Sequence, residues 1–263
     1  MIKTSDLTES NTLEGLVKSE YLLAHTASER YGVYYFHARE TTVFLSKCIT
    51  SIDIIQENFA RFLSYTKKHH LLAVLSTIRL HKVQAFMNLR HVLEAGSWAA
   101  YAIANTDDKH FIEREKDGTL RITDKLPRRR NAWLDKNFPD ASEYIKTQKD
   151  RMNNTIAHAG LVYTETVFDI DREARSFDMP FFDKEDIFHV NSDLWLTAAI
   201  GIALMNLFYG VKDRCGGMFE FATDFEERFQ ALGDQNAVLQ HELQNSGRYR
   251  EIDERHREAQ AEA

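Results

Sequence analysis

LWLTAAIGIALMNLFYGV (Leu194–Val211) is a run of 18 residues without a charge, and how it is read decides the fold. As a helix it reaches about 27 Å, just short of the ~30 Å hydrocarbon core of a bilayer. Asn206 lies well inside it, and it lacks aromatic or basic anchors on both flanks. The expectation is the central buried helix of a bundle rather than a membrane span. Asp183 and Asp186 precede this helix and Cys215-Gly216-Gly217 closes it, so it should run over 186–214.

The rest of the composition agrees. Three Pro and 11 Gly in 263 residues are well under the usual ~5% and ~7%, too few for the many tight turns of a sandwich, barrel or Rossmann domain. The length suits one large domain or two small ones. Forty acidic against 33 basic residues give a net charge of −7, which argues against a surface coated in positive charge but permits a local basic patch. Two cysteines, Cys48 and Cys215, are too few for a disulfide framework or a cysteine-based zinc site. The opening MIKTSDLTESNTLEG has no apolar h-region, and a cytoplasmic location is expected.

Working outward, Leu13 to Ala27 reads as a first amphipathic helix, with a break at Gly32 in the aromatic stretch that follows. Phe44, Leu45, Cys48, Ile49, Ile52, Ile55, Phe59 and Phe62 keep three-and-four spacing, predicting one helix from about Arg39 to Tyr65 that ends at Lys67-Lys-His-His70. A third helix is expected from Leu71 to about Asn105, with Ala95-Gly96-Ser97 allowing a close neighbour. Residues 105–126 read as a loop with a short hairpin around Gly118. Pro127 opens a basic turn, and Pro139 restarts a helix that runs to Ala159, before Gly160. Alternation from Val162 to Phe182 predicts a β-hairpin. Met218, Ala222, Phe225, Phe229, Leu232, Asn236, Leu239 and Leu243 form a heptad-spaced seam, either an amphipathic C-terminal helix or a self-association segment. The tail after about 245 has almost no apolar residues and should fray. The fold class is thus all-α: a helical domain over 1–217, with its core at about 39–215 and a small β-hairpin insertion at about 162–182, then a C-terminal helix over 218–263.

Phosphate-binding glycine loops, Gly-x-Ser-x-Gly elbows and His-Glu-x-x-His are all absent, and neither a metal nor an organic cofactor is expected. The chemistry concentrates in Arg151-Met-Asn-Asn-Thr-Ile-Ala-His158. Residues seven apart on a helix differ by about 20° in azimuth, so Arg151 and His158 point the same way two turns apart, with Asn154 between them. A helix C-terminus raises a histidine's pKa toward neutrality. A guanidinium beside a titratable imidazole is the minimum equipment for cutting RNA without metal: the imidazole moves protons and the guanidinium holds the phosphorane's charge.

Here the chain resembles the HEPN superfamily of all-helical domains, whose signature is Arg, four to six residues, then His near a helix end. Asn88-Leu89-Arg90-His91-Val92-Leu93-Glu94-Ala95 is similar to the Arg-x-x-x-Glu-Ala helix of a HEPN-like bacterial group, and the resemblance covers roughly residues 40–215. It implies a homodimer whose two Arg/His pairs line one cleft, with ribonuclease activity in toxin or antiphage defence systems, or RNA binding alone. Arg151 and His158 take the catalytic positions and Asn154 an auxiliary one. Met152 stands where active members usually carry a polar residue. Arg90 and Glu94, four apart on one helix, are expected either to form a surface ion pair or to support the site, with Glu94 pairing with Arg151. Arg128, Arg129, Arg130, Lys146 and Lys149 would bind RNA phosphates. The alternatives are a non-catalytic interaction module using the 218–243 helix to bind a protein partner or a second copy, and a small-molecule-binding bundle using Tyr31, Tyr34, Tyr35 and Phe36.

Overall fold

The computed structural model describes residues 3–4, 12–114, 117–121, 123–156, 169–171, 176–178, 180–184, 186–251 and 254. Its helices are α1 (Leu13–His25), α2 (Ala27–Lys47), α3 (Glu57–Ile78), α4 (Lys82–Ala104), α5 (Lys125–Asn137), α6 (Pro139–Ile156), α7 (Ile187–Cys215) and α8 (Phe225–Asn245). This is an all-α bundle carrying a small β-hairpin.

α7 contains the uncharged run and is long and apolar enough by composition to cross a membrane, yet it forms the middle of the bundle. Leu194, Ala198, Ile200, Met205, Phe208 and Val211 are fully enclosed among α2, α3, α4 and α8. Two glycines bring the helices this close. A Cβ on Gly96 of α4 would lie 2.6 Å from the Leu204 methyls of α7, and one on Gly201 of α7 would lie 2.6 Å from His70 Nε2 of α3. Asp186 caps α7 by accepting from His189 N at 2.9 Å, and Gly216 at φ 69° ends it in the left-handed conformation.

Two long helices expected from spacing are divided in the structure. The one drawn from Arg39 to Tyr65 stops at Lys47, and strand β2 (Ile49–Ile52) pairs antiparallel with β7 (Phe219–Phe221). β-branched Ile49, Thr50 and Ile52 suit a strand, and Asp53 restarts the helical path by accepting from Ile55 N at 2.9 Å. Apolar spacing continues through the strand because Phe219 and Phe221 cover the same core that Phe44 and Phe59 face. The second correction is the junction of α3 and α4. The cationic run Lys67–His70 does not end a helix; α3 continues to Ile78, and the chain turns at Leu80 with φ 59°. His70 stays helical because it is wholly buried between α2 and α7. Asp183, expected to open α7, instead caps α4 from 101 residues away by accepting from Lys82 N. Upstream, the aromatic stretch 31–36 belongs to α2, which starts at Ala27 and kinks at Gly32 (φ 49°).

Around Gly118 a two-residue ladder joins β3 (Glu113–Arg114) to β4 (Leu120–Arg121). From the longer hairpin, β5 (Asp169–Asp171) and β6 (Ser176–Asp178) pair antiparallel with Ile170 opposite Phe177, and β1 (Lys3–Thr4) adds parallel to β6. The other residues between 157 and 179 lie outside the described set.

The C-terminal seam is filled by the chain's own helices. Phe225, Leu232, Leu239 and Leu243 are buried on α2 and α7, Asn236 Oδ1 lies 3.1 Å from His37 Nε2, and the Asn236 carbonyl accepts from Trp195 Nε1 at 3.0 Å. Met218 and Ala222 precede α8 rather than extend its seam. Tyr31 is enclosed with Ala27, Val74 and Leu194, so this part of the aromatic stretch is core.

Candidate functional site

α6 carries the candidate chemistry and separates two concavities. Pro139 starts it, since a proline needs no hydrogen-bond acceptor in a first turn. Tyr144, Gln148 and Arg151 repeat at helical spacing down one stripe. Ser142, Ile145, Lys149 and Asn153 lie on the opposite side, roughly 150° around the axis.

The Tyr144 stripe faces α7 and α8 across a cleft of about 440 Å³. Trp195, Ala199, Ala203 and Asn206 of α7 form one wall, and Phe229, Asn236 and Gln240 of α8 contribute to the other. Ala199 and Ala203 are small, which is why α7 leaves open space opposite α6. Among the described residues that line it, Arg151 is the one charged side chain; the remaining polar groups there are carboxamides, the Tyr144 phenol and the Trp195 indole. Burial pushes the Tyr144 phenol up to about 12, partly opposed by Arg151, so it remains a hydrogen-bonding hydroxyl at neutral pH. Met152, next to Arg151, is buried. The Asn154 side chain and all of His158 lie outside the described residues.

Glu94 does not meet Arg151. Its Oε1 accepts from Arg130 Nη1 at 2.6 Å and its Oε2 from Lys149 Nζ, so α4, α5 and α6 converge on one carboxylate. Burial alone would raise the Glu94 carboxyl, but Arg130 and Lys149 outweigh it and hold it down at about 2. Arg90, one turn earlier, is exposed and makes no ion pair with Glu94.

Arg130 also departs from the expected phosphate-binding role. It is 2% exposed, its guanidinium sits 4.5 Å from the Trp98 ring centroid, and Nε and Nη2 donate to Asn131 Oδ1 at 3.1 and 2.9 Å. The three arginines lie on a helix, so successive side chains point about 100° apart and only one can face the core. Arg128 and Arg129 remain exposed. Lys146 pairs with Asp135 at 2.6 Å at the surface.

The residues that sequence reasoning missed are Trp98 beneath Arg130 and the carboxamides of Gln148, Asn206, Asn236 and Gln240. Gln148 had a signal in its helical spacing from Tyr144 and Arg151, and Asn206 and Asn236 in being polar within the apolar run and the heptad seam.

No family model, curated protein or solved structure matches the chain. The site must therefore be judged on its own geometry. Among the described residues no three His, Cys, Asp or Glu side chains cluster as a metal site. Cys48 is buried with its thiol pushed up to about 11 by burial, which suits packing better than nucleophilic chemistry.

Proposed function

We propose that the protein is a HEPN-like RNA-directed protein of the cytoplasm, a homodimer that binds single-stranded RNA at α6 and cuts it without metal. The observation that carries this reading is the makeup of the α6–α7–α8 cleft: one guanidinium, carboxamides that can read base edges, aromatic rings, and no carboxylate among its described lining residues. A phosphodiester with its base supplies what such a surface accepts, an anion, hydrogen-bonding edges and a flat apolar face. Exposed Arg128 and Arg129 add long-range attraction for the backbone.

His158 removes the proton from a ribose 2′-hydroxyl, the 2′-oxygen attacks phosphorus, and the P–O5′ bond breaks. The leaving 5′-oxygen takes up a proton, and a 2′,3′-cyclic phosphate remains. Arg151 binds the non-bridging oxygens as their charge grows, and Asn154 assists by hydrogen bonding.

The test is cleavage of a single-stranded RNA in EDTA with analysis of product ends. Cyclic phosphate ends are expected; Arg151→Ala should lose about 100-fold or more in rate. His158→Ala should abolish cutting with helical circular dichroism intact. Undiminished cutting by that variant sinks the catalytic assignment.

A further inference from the structure

The outer face of the α3–α4 pair gathers two histidines and a tyrosine. Tyr65 and His69 stand one turn apart on α3, and His91 meets them from α4. The His69 and His91 ring centroids are 4.8 Å apart with their planes at 38°, and the Tyr65 ring lies 4.2 Å from His69 and 5.9 Å from His91. His69 is half-buried and His91 exposed, so solvent reaches the pair from one side.

Hydrogen bonds fix the tautomer of His69. Asn88 Nδ2 donates to the Gln84 carbonyl at 2.8 Å, which turns the Asn88 Oδ1 toward His69 Nδ1 at 2.7 Å. A carboxamide oxygen only accepts, so the His69 proton sits on Nδ1 and Nε2 carries an open lone pair. An acceptor on the far ring nitrogen is how metal-ligating imidazoles are oriented and made more basic. His91 makes no hydrogen bond among the described residues, and a neutral imidazole always offers one lone pair. Two imidazoles bonded to one ion at about 2.0–2.1 Å would place their centroids about 4.5 Å apart at a right angle and about 5.2 Å apart at the tetrahedral angle. The observed spacing falls between the two.

The surrounding charge selects the kind of ion. Lys68 and Arg90, next in the chain to the two histidines, are exposed, while Glu94, one turn beyond His91, is held by Arg130 and Lys149. Hard ions such as magnesium and calcium need oxygen ligands that this face does not offer them. Copper, nickel and zinc ions bond to imidazole nitrogen directly.

We propose that His69 Nε2 and a ring nitrogen of His91 together hold one imidazole-preferring divalent transition-metal ion, zinc or copper, across α3 and α4. Water fills the remaining coordination positions. Both ligands sit on packed helices, so their spacing is set before the ion arrives. The ion clips α3 to α4 and stabilises the folded chain by mass action. α3 and α4 contribute no described residue to the α6–α7–α8 cleft, and the site stands whether or not the protein cuts RNA.

Equilibrium dialysis of the full chain, stripped with chelator, tests it at about pH 7.5, where ordinary imidazoles are neutral. One saturable equivalent is expected for zinc chloride, tighter binding for copper(II) chloride, and none for magnesium chloride. The melting temperature should rise with zinc and not with magnesium. Electron paramagnetic resonance of the copper complex should show coupling to two imidazole nitrogens, falling to one in His91→Gln. His69→Gln and His91→Gln should each weaken zinc roughly tenfold or more with unchanged circular dichroism, while His241→Gln, changing an exposed histidine of α8, should not. Asn88→Leu should weaken zinc about tenfold, and Asn88→Asp, which still accepts from His69 Nδ1, should restore it, a pattern that a packing role would not give. No saturable zinc binding, equal binding of magnesium, or zinc affinity unchanged in both histidine variants overturns the proposal.

Discussion

Arg130 of α5 donates to Glu94 of α4 at 2.6 Å, across 36 residues of sequence, with its guanidinium plane against Trp98. Lys149 of α6 reaches the same carboxylate. Removing one member of such a set leaves charge without its partner in a poorly solvated place. Arg130→Ala should cost about 3 kcal/mol, read as a lower urea midpoint. Arg130→Met should recover part of the loss, because its side chain refills the buried volume against Trp98 while Glu94 keeps Lys149 as its partner. Equal stability of Arg130→Ala and the natural chain refutes the structural role.

Gly201 and Gly96 both let α7 approach its neighbours, but not at equal risk. A methyl at Gly201 meets His70 Nε2 at 2.6 Å and Thr41 Cγ2 at 3.0 Å, groups fixed by burial and hydrogen bonding. A methyl at Gly96 meets Leu204, its two methyls at 2.6 Å and its Cγ at 3.1 Å, an apolar side chain with no hydrogen bond to lose if it shifts. Gly201→Ala should cost about 2 kcal/mol or more and Gly96→Ala distinctly less, by thermal or urea unfolding. The reverse order would contradict this packing.

His70 makes stability pH-dependent. Its Nε2 faces the Thr197 carbonyl at 3.0 Å; a carbonyl only accepts, so the proton sits on Nε2, and Nδ1 lies 3.0 Å from the Thr42 hydroxyl, whose single proton is shared between it and the Ala38 carbonyl. Burial lowers its pKa from 6.5 to about 4, only partly opposed by the Thr197 hydrogen bond. The unfolded chain then binds more protons between those values, so the contribution is complete above pH 6.5 and is lost as pH falls toward 4. The total is on the order of 3 kcal/mol. His37, also lowered by burial, acts in the same direction. Urea midpoints at pH 7 and pH 5 should differ in favour of pH 7, and a flat profile would exclude a neutral buried imidazole. Glu94, lowered from 4.5 to about 2, adds its own loss only below pH 4.5.

Asp183 caps α4 although it lies just before α7. Asp183→Ala should cost about 1 kcal/mol, the usual worth of an N-cap, while Asp183→Asn should retain most of it because its amide oxygen still accepts from Lys82 N. Similar losses in both would assign the effect to charge rather than to capping.

The sequence by itself determined the helical class, the buried place of Leu194–Val211, the kink at Gly32, the start of α6 at Pro139 and the end of α7 at Gly216. Each follows from a local property: uncharged length, backbone freedom of glycine, or the fixed φ of proline. Only the tertiary structure decided that Ile49–Ile52 is a strand, since apolar spacing records which side faces the core and not which hydrogen bonds the backbone makes there. It likewise decided the partners of charge. Glu94 has Arg90 one turn away and Arg151 on another helix, yet it binds Arg130 and Lys149, because the packing of α4, α5 and α6 brings those two cations to it. The same packing took Arg130 out of solvent and left Arg90 beside a cavity, distinctions that three consecutive arginines and a helical pair spacing do not contain.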